Sequence, residues 1–380
     1  MPENAHPRVL VVHNRYRAVG GEERAVELQL SAMERAGIPH ALHERRSADA
    51  GRAAAAVSVL RGGSAADEVA AAVEDLGANV AHFHNVQPLV GPRGLESAGK
   101  AGAKVVMHLH NVRLFCAIGV GARDGGPCER CRGRNTLPGL RLNCRGSLPE
   151  AAVYAAGLSR HQPRVFAAVD RFLAPGEAAA AALVRRGLAR ERITTLAHYM
   201  PAELFAGDSR AGDGSYALVL SRLAPEKGVD IAVEAAKAAG VPLRVAGDGP
   251  ERPRLEALAR GADVRFLGQV SAAEVRALLA EAAAVLVPSR CHEFFGYSAL
   301  EAMANGVPVV ATAMGGLPEL VGPQRCVALA DPGAFAARLA ALWADRRSRQ
   351  TEGEELLARA RERHGEQRYV RELLEIYAAL

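Results

Sequence analysis

Residues 289–310 read SRCHEFFGYSALEAMANGVPVV, an odd stretch for this chain. Only 17 of the 380 residues are aromatic, yet Phe294, Phe295 and Tyr297 fall within four positions, bracketed by Glu293 and Glu301. The preceding AAVLVP (283–288) is a short apolar run of strand type, and the pattern predicts a helix from about Gly296 to Asn305, stopped by Gly306. Glu293 then lies in a loop at the C-terminal end of a strand, and Glu301 more than a turn inside the helix. At about 1.5 Å rise per helical residue the two carboxylates are on the order of 10 Å apart. They do not converge as an acid/base dyad; the spacing suits the two ends of one long polyhydroxylated ligand. Between them, the amides of Phe295, Gly296 and Tyr297 and the positive end of the helix are placed to meet a diphosphate and hydroxyl groups. Core packing is the competing account of the aromatics, above all for Phe295.

The same strand–loop–helix unit recurs almost throughout, which is the mark of βαβ units and parallel sheets. RVLVV (8–12), ANVAHF (78–83), KVVMHL (104–109) and DRFLAP (170–175) read as strands of a first half. YALVL (216–220), PLRVA (242–246), VRFLG (264–268), AAVLVP and VPVVAT (307–312) read as strands of a second half. AGDSRAGDGS (206–215) has the composition of a linker. The expected architecture is α/β, with two Rossmann-like doubly wound domains at 1–205 and 206–365 and a final helix at 366–380 that crosses back to the first. Ligands of such sheets bind at the C-terminal ends of the strands, so a cleft between the domains is the expected site.

Three further loops of the second half carry ligand-type chemistry. SRLAPEKG (221–228) follows a strand and places Arg222 and Lys227 where a phosphate would meet them. Only four of 47 basic residues are lysine, so a lysine kept there points to a compact charge, although a plain surface cation is the alternative. VAGDGPER (245–252) is a Gly-rich turn that suggests close backbone approach to a ligand at Gly247, and GQVS (268–271), with Val270, is a similar turn after the next strand.

E-F-F-G-x-x-x-x-E followed by AMANGVPVVAT and GGLPELV resembles the signature of the retaining glycosyltransferases of family 4 (group 1), which have the GT-B fold. SRLAPEKG, AGDGP and FLGQV match the remainder of that family's donor domain in order and spacing. The resemblance implies that Arg222 and Lys227 bind the donor diphosphate, that Glu301 holds the ribose hydroxyls, and that Glu293 with Phe294, Phe295, Gly296 and Tyr297 holds the donor sugar. In the first half, NRYRAVGGEE (14–23) resembles the family's glycine loop, with Gly20 and Gly21 near the donor phosphate. HFHN (82–85) and HLHN (108–111) each end an apolar strand. Four histidines at i, i+2 on two strands are numerous enough for a metal site. The resemblance points instead to His110 lining the cleft beside the donor sugar, with Asn111 where the family usually has Asp. The implied catalytic set is His110, Arg222, Lys227 and Glu293, acting without a metal. Arg222, Lys227 and the helix N-terminus would neutralise the leaving diphosphate, and the acceptor hydroxyl would attack from the face of departure. A UDP-sugar is the expected donor by resemblance.

Cys116, Cys128, Cys131 and Cys144 give C-x11-C-x2-C-x12-C within a Cys-rich segment at about 112–148. Four thiolates have the count and reach for a structural zinc site; free thiols and an iron–sulfur cluster are the other readings. Similar cysteines occur in family members of capsule and exopolysaccharide assembly. The segment is also basic. Lys104 to Arg171 holds eleven basic and four acidic residues, net +7 against −2 elsewhere. That surplus suits an anionic or lipid-linked hydroxyl acceptor at a membrane surface, or a solvated loop without a partner. The N-terminal MPENAHPRVLVVHN lacks the pattern of a secretory signal and no run is long enough to span a membrane, so a cytoplasmic enzyme at the inner membrane face is expected.

Three other functions compete. A nucleotide-sugar 2-epimerase fits two such domains, but not the paired glutamates with the EKG loop. A zinc-containing nucleic-acid-binding protein would have only Phe115 in the cysteine loop to stack on bases, so no nucleic acid is expected. A dinucleotide oxidoreductase lacks G-x-G-x-x-G at the first helix.

Overall fold

The computed structural model describes residues 7–16, 20–329 and 331–380. The chain divides into two compact units. The first takes the chain to Gly121, then Glu129–His198 and Gln367–Leu380; the second is Ala122–Cys128 and Tyr199–Glu366.

The first unit is built on six parallel strands: β1 (Val9–Arg15), β2 (His40–Arg46), β3 (Val80–Phe83), β4 (Lys104–His108), β7 (Arg171–Ala174) and β8 (Ile193–Thr195), with a small hairpin β5 (Ala122–Arg123) and β6 (Gly126–Pro127) between β4 and β7. The sheet order is β2-β1-β3-β4-β7-β8. Strands β1 and β3 are buried on both faces, which is why they read as unbroken apolar runs. β2, HALHERR, is a half-exposed polar edge that the apolar pattern did not reveal.

The second unit repeats the plan with β9 (Tyr216–Leu220), β10 (Leu243–Ala246), β11 (Val264–Gly268), β12 (Ala282–Val287), β13 (Val309–Thr312) and β14 (Cys326–Val327), in the order β11-β10-β9-β12-β13-β14. This is the doubly wound 3-2-1-4-5-6 arrangement. Its core joins Val219, Leu243 and Leu286 of the sheet to Ala232 and Ala236 of the helix Val229–Ala239 and to Phe335, Leu339 and Leu342 of the helix Pro332–Ala344.

In such sheets the chain leaves in opposite directions from two neighbouring strands, and a crevice opens at their C-terminal ends. Here the switch points fall between β9 and β12 and between β1 and β3. The loops that follow those strands are 221–228 and 288–296 in one unit, and the residues after Arg15 and after Phe83 in the other.

Two expectations are corrected. Residues 206–215 are no linker. Ser209 and Ala211 are buried, the Ser209 hydroxyl donates to the Gly306 carbonyl at 2.6 Å, and Arg349 donates to the carbonyls of Ala211 and Gly212 at 3.1 and 2.9 Å. The division falls at His198/Tyr199 rather than at 205, and Ala122–Cys128 of the cysteine segment groups with the second unit. The final helix, Glu366–Ala378, belongs from Gln367 onward to the first unit, where the Gln29 amide lies 3.3 Å from the Tyr377 hydroxyl. Among the described residues no helix is long and apolar enough to cross a membrane.

Candidate active site

In the second unit the loops after β9, β10, β12 and β13 are joined by backbone contacts that leave no room for side chains. A Cβ on Gly247, at φ +132°, would lie 1.9 Å from the Ser221 carbonyl oxygen, and one on Gly315 would lie 2.1 Å from that of Glu293. The Gly-rich turn 245–252 thus uses Gly247 to approach the neighbouring loop. Gly316 N–H donates to the Glu293 carbonyl at 2.7 Å, so the GGLPELV turn holds the Glu293 backbone.

On this frame the Lys227 ammonium meets Glu293 Oε1 at 2.6 Å, and the Ser289 hydroxyl donates to the same oxygen at 2.5 Å. Burial by itself would raise the Glu293 carboxyl; Lys227 and Ser289 outweigh it and hold the group below its ordinary value. Burial would lower Lys227, but Glu293 raises it above the usual lysine range. Both groups are therefore charged at neutral pH. Arg222 is half-exposed and pairs with Glu226. The sequence suggested Lys227 and Glu293 separately; their pairing, and the part of Ser289, came from the fold.

The helix Tyr297–Ala304 begins after Gly296, whose φ of +104° reverses the chain and which has no side chain to cap the first turn. Phe294 and Phe295 are buried, Phe295 packing edge-on against Tyr297 and His364. Phe294 and Phe295 are core, whereas Tyr297 is only partly buried. Glu301 lies partly buried on the helix, and Val270 partly buried between β11 and the helix Ala272–Ala280.

In the first unit, Gly20 caps the helix Gly21–Arg35. Its N–H donates to Glu23 Oε2 at 2.8 Å and that of Tyr16 donates to Oε1 at 3.0 Å; Arg17, Ala18 and Val19 of the glycine loop lie outside the described residues. A network unseen in the sequence fills the β1/β3 switch point. The Tyr16 hydroxyl donates to Glu22 at 2.9 Å, Asn111 Nδ2 to the same Glu22 oxygen at 3.0 Å, and Arg113 Nε to the Tyr16 oxygen at 3.0 Å. Burial raises the Glu22 carboxyl above its usual range, although His13 and Arg113 oppose it. Asn111, where the resemblance expects Asp, serves as a neutral donor to that carboxylate.

His110 sits in a coplanar chain of imidazoles. Its Nε2 lies 2.8 Å from His84 Nδ1 and its Nδ1 3.3 Å from His198 Nε2. Burial, then its histidine neighbours, push His110 well below the usual histidine value, so it meets a ligand as neutral imidazole. Close by in the same unit is a cavity of about 440 Å³ lined in part by Arg52, Arg113, Arg145, Glu150 and Tyr154. The Arg145 guanidinium stacks on the Tyr154 ring at 3.8 Å and donates to Glu150 at 3.2 Å. That volume and mixed lining suit a small polar or anionic molecule.

The four cysteines of the basic segment are partly buried, with Gly119 N–H donating to the Cys116 carbonyl and Cys144 N–H to that of Gly139. Arg130, Arg132 and Arg134 are exposed beside them.

Residues 214–345 match the family model of the glycosyl transferases group 1. That match lies wholly within the second unit. The chain is 34% identical over 204 residues to a GDP-mannose-dependent alpha-mannosyltransferase of Mycobacterium tuberculosis, covering 50% of this chain and 51% of that one. It is 37% identical over 125 residues to a 2-deoxystreptamine N-acetyl-D-glucosaminyltransferase of Niallia circulans, covering 30% and 32%. The chain therefore spans at most about half the length of these curated relatives. Among solved structures it is similar to Anabaena HepE in complex with UDP (TM-score 0.66, 18% identity, 98% of this chain and 100% of that one). It is also similar to the sucrose-phosphate synthase of Thermosynechococcus elongatus (TM-score 0.72, 17% identity, 98% of each). The fold is that of the GT-B glycosyltransferases, with two Rossmann-like parallel-sheet domains.

Proposed function

We propose that this protein is a retaining glycosyltransferase that moves a sugar from a nucleotide-sugar donor, a UDP-sugar in the first instance, to a hydroxyl acceptor in polysaccharide, glycolipid or glycosylated-metabolite synthesis. The observation that carries the reading is the charged Lys227–Glu293 pair at the β9/β12 switch point, ahead of a helix N-terminus. In this reading Lys227 and Arg222 meet the diphosphate, and the helix N-terminus adds its partial positive charge as the leaving group gains negative charge. Glu293 and the backbone through Gly296 and Tyr297 hold the sugar, Glu301 the ribose, and neutral His110 a sugar hydroxyl. The acceptor hydroxyl attacks on the face that the diphosphate leaves and passes its proton to a diphosphate oxygen.

Complexes of a similar fold hold UDP, whereas one relative is GDP-mannose-dependent, so the base is the first thing to measure. In a thermal-shift panel of UDP, GDP, ADP and their sugar conjugates, one nucleotide at 100 times its Kd is expected to add about 2.7 kcal/mol to the wild type. Glu301→Ala is expected to lose that shift. No shift with any nucleotide would overturn the reading.

We further propose that the acceptor is anionic, as in a lipid-linked diphosphate sugar, that the Arg52/Arg113/Arg145 cavity receives it, and that the exposed arginines 130, 132 and 134 draw the protein to a membrane surface. Arg52→Ala and Arg145→Ala are each expected to raise the acceptor KM about tenfold with little change in kcat. Full activity on membrane-bound acceptor after neutralising Arg130, Arg132 and Arg134 together would remove the membrane part. A structural zinc on Cys116, Cys128, Cys131 and Cys144 belongs to the same proposal. Partly buried, reduced thiols are its usual ligands, and it would pin the basic segment.

A further inference from the structure

The ends of β3 and β4 bury more nitrogen than the fold can satisfy. His82, His84 and His108 are 0%, 2% and 1% exposed. His82 Nε2, His84 Nε2 and both ring nitrogens of His108 have no hydrogen-bond partner among the described residues. Buried polar atoms are nearly always paired, and three adjacent rings with unpaired nitrogens call for a ligand.

We infer that His82, His84 and His108 form a binding site for a divalent late transition ion, zinc foremost, separate from the cysteine segment and additional to the sugar-transfer chemistry. One ring nitrogen from each lies within 4.8 Å of the others. The ring centres are 4.9 Å (His82–His84), 6.0 Å (His82–His108) and 5.9 Å (His84–His108) apart. A triangle of those sides has one point about 3.3 Å from every centre. A zinc-bound imidazole puts its ring centre at about that distance, since Zn–N is roughly 2.0–2.1 Å and the ring centre lies some 1.2 Å further on.

The surroundings aim the lone pairs inward. His82 Nδ1 lies 2.6 Å from the Tyr377 hydroxyl and 3.1 Å from the Gln29 amide. Gln29 Oε1 is itself without a hydrogen-bond partner among the described residues. With the amide turned so that Oε1 faces the ring, His82 Nδ1–H is held by two oxygens and Nε2 keeps its lone pair. His84 Nδ1–H can donate to His110 Nε2 at 2.8 Å and His110 Nδ1–H to His198 Nε2 at 3.3 Å, a head-to-tail chain that leaves the His84 Nε2 lone pair free. Such second partners fix tautomer and ring orientation in histidine metal sites. An all-imidazole set selects Zn²⁺, Cu²⁺, Ni²⁺ or Co²⁺ over Mg²⁺ or Ca²⁺. A cavity of about 20 Å³ touching His84, His108 and His110 has room for one water as a fourth ligand.

The test uses the full chain, stripped with chelator and reloaded with Zn²⁺. X-ray absorption at the zinc edge is expected to show three imidazole nitrogens at about 2.0–2.1 Å, resolved from any thiolate shell at about 2.3 Å. His108→Gln is expected to remove one zinc equivalent while a Cys128→Ser/Cys131→Ser protein keeps it. Tyr377→Phe, which preserves packing, is expected to weaken that zinc 10–100-fold. A thiolate-only spectrum, or a folded His108→Gln protein with unchanged zinc content, would overturn the proposal. Should His108→Gln fail to fold, the wild-type spectrum and the Tyr377→Phe affinity decide. All of these readouts are independent of sugar transfer.

Discussion

Lys227→Met is expected to lower kcat for sugar transfer by about 10²–10³, the usual cost of deleting one group aimed at developing negative charge. It also removes the partner of a mostly buried carboxylate, and with Lys227 28% and Glu293 14% exposed the stability cost should be about 3 kcal/mol. The pH dependence identifies the pair. Glu293 is depressed from 4.5, so its contribution is present above that value and lost as pH falls through its lower folded value. Lys227 is raised from 10.5, so its contribution is present below that value and lost as pH rises through its higher folded value. The wild-type advantage in Tm over Lys227→Met should therefore shrink at alkaline and at acid pH, the acid fall beginning above 4.5 because burial raises the variant's unpartnered Glu293. In the double variant Lys227→Met/Glu293→Gln stability should largely return, because no uncompensated charge is left buried. Activity should not. Recovery of transfer together with stability would mean that Lys227 only supports the fold.

Gly247→Ala is expected to destabilise the second unit by at least about 4 kcal/mol, a fall in Tm of roughly 10 °C or more. The new Cβ would sit 1.9 Å from the Ser221 carbonyl oxygen, and the backbone at φ +132° is one that side chains rarely adopt. Gly240→Ala is the control. It also has positive φ, +64°, but nothing lies within 4 Å, so its cost is the left-handed backbone alone, about 1–2 kcal/mol. Equal costs for the two would show that the loops at residues 221 and 247 are not locked together. Nucleotide binding should fail with Gly247→Ala and survive in Gly240→Ala, because the first displaces the backbone beside Arg222.

The sequence by itself determined the strand–helix alternation and the position of nearly every buried strand. A parallel strand covered on both faces must be apolar throughout, so it prints its own signature, as VLVV and YALVL do. The sheet strands that left no such mark, β2, β8 and β14, are short or partly exposed strands at sheet edges. The sequence also singled out Lys227, Glu293, Glu301 and the paired histidines, because their positions at strand ends are local facts. Partnership was not local. Lys227 meets Glu293 across 66 residues, Arg113 meets Tyr16 across 97, and Tyr377 reaches His82 across 295. Each pairing depends on strand order and on where the last helix docks, which periodicity does not encode. For the same reason 206–215 looked like a linker. Its Gly, Ser and Asp residues are loop formers, and it is distant contacts, among them those of the Gln350 and Arg349 side chains and the Gly306 carbonyl, that make it part of the core. The three histidines that each keep a ring nitrogen without a hydrogen-bond partner among the described residues could be recognised as a group only once β3 and β4 were paired side by side.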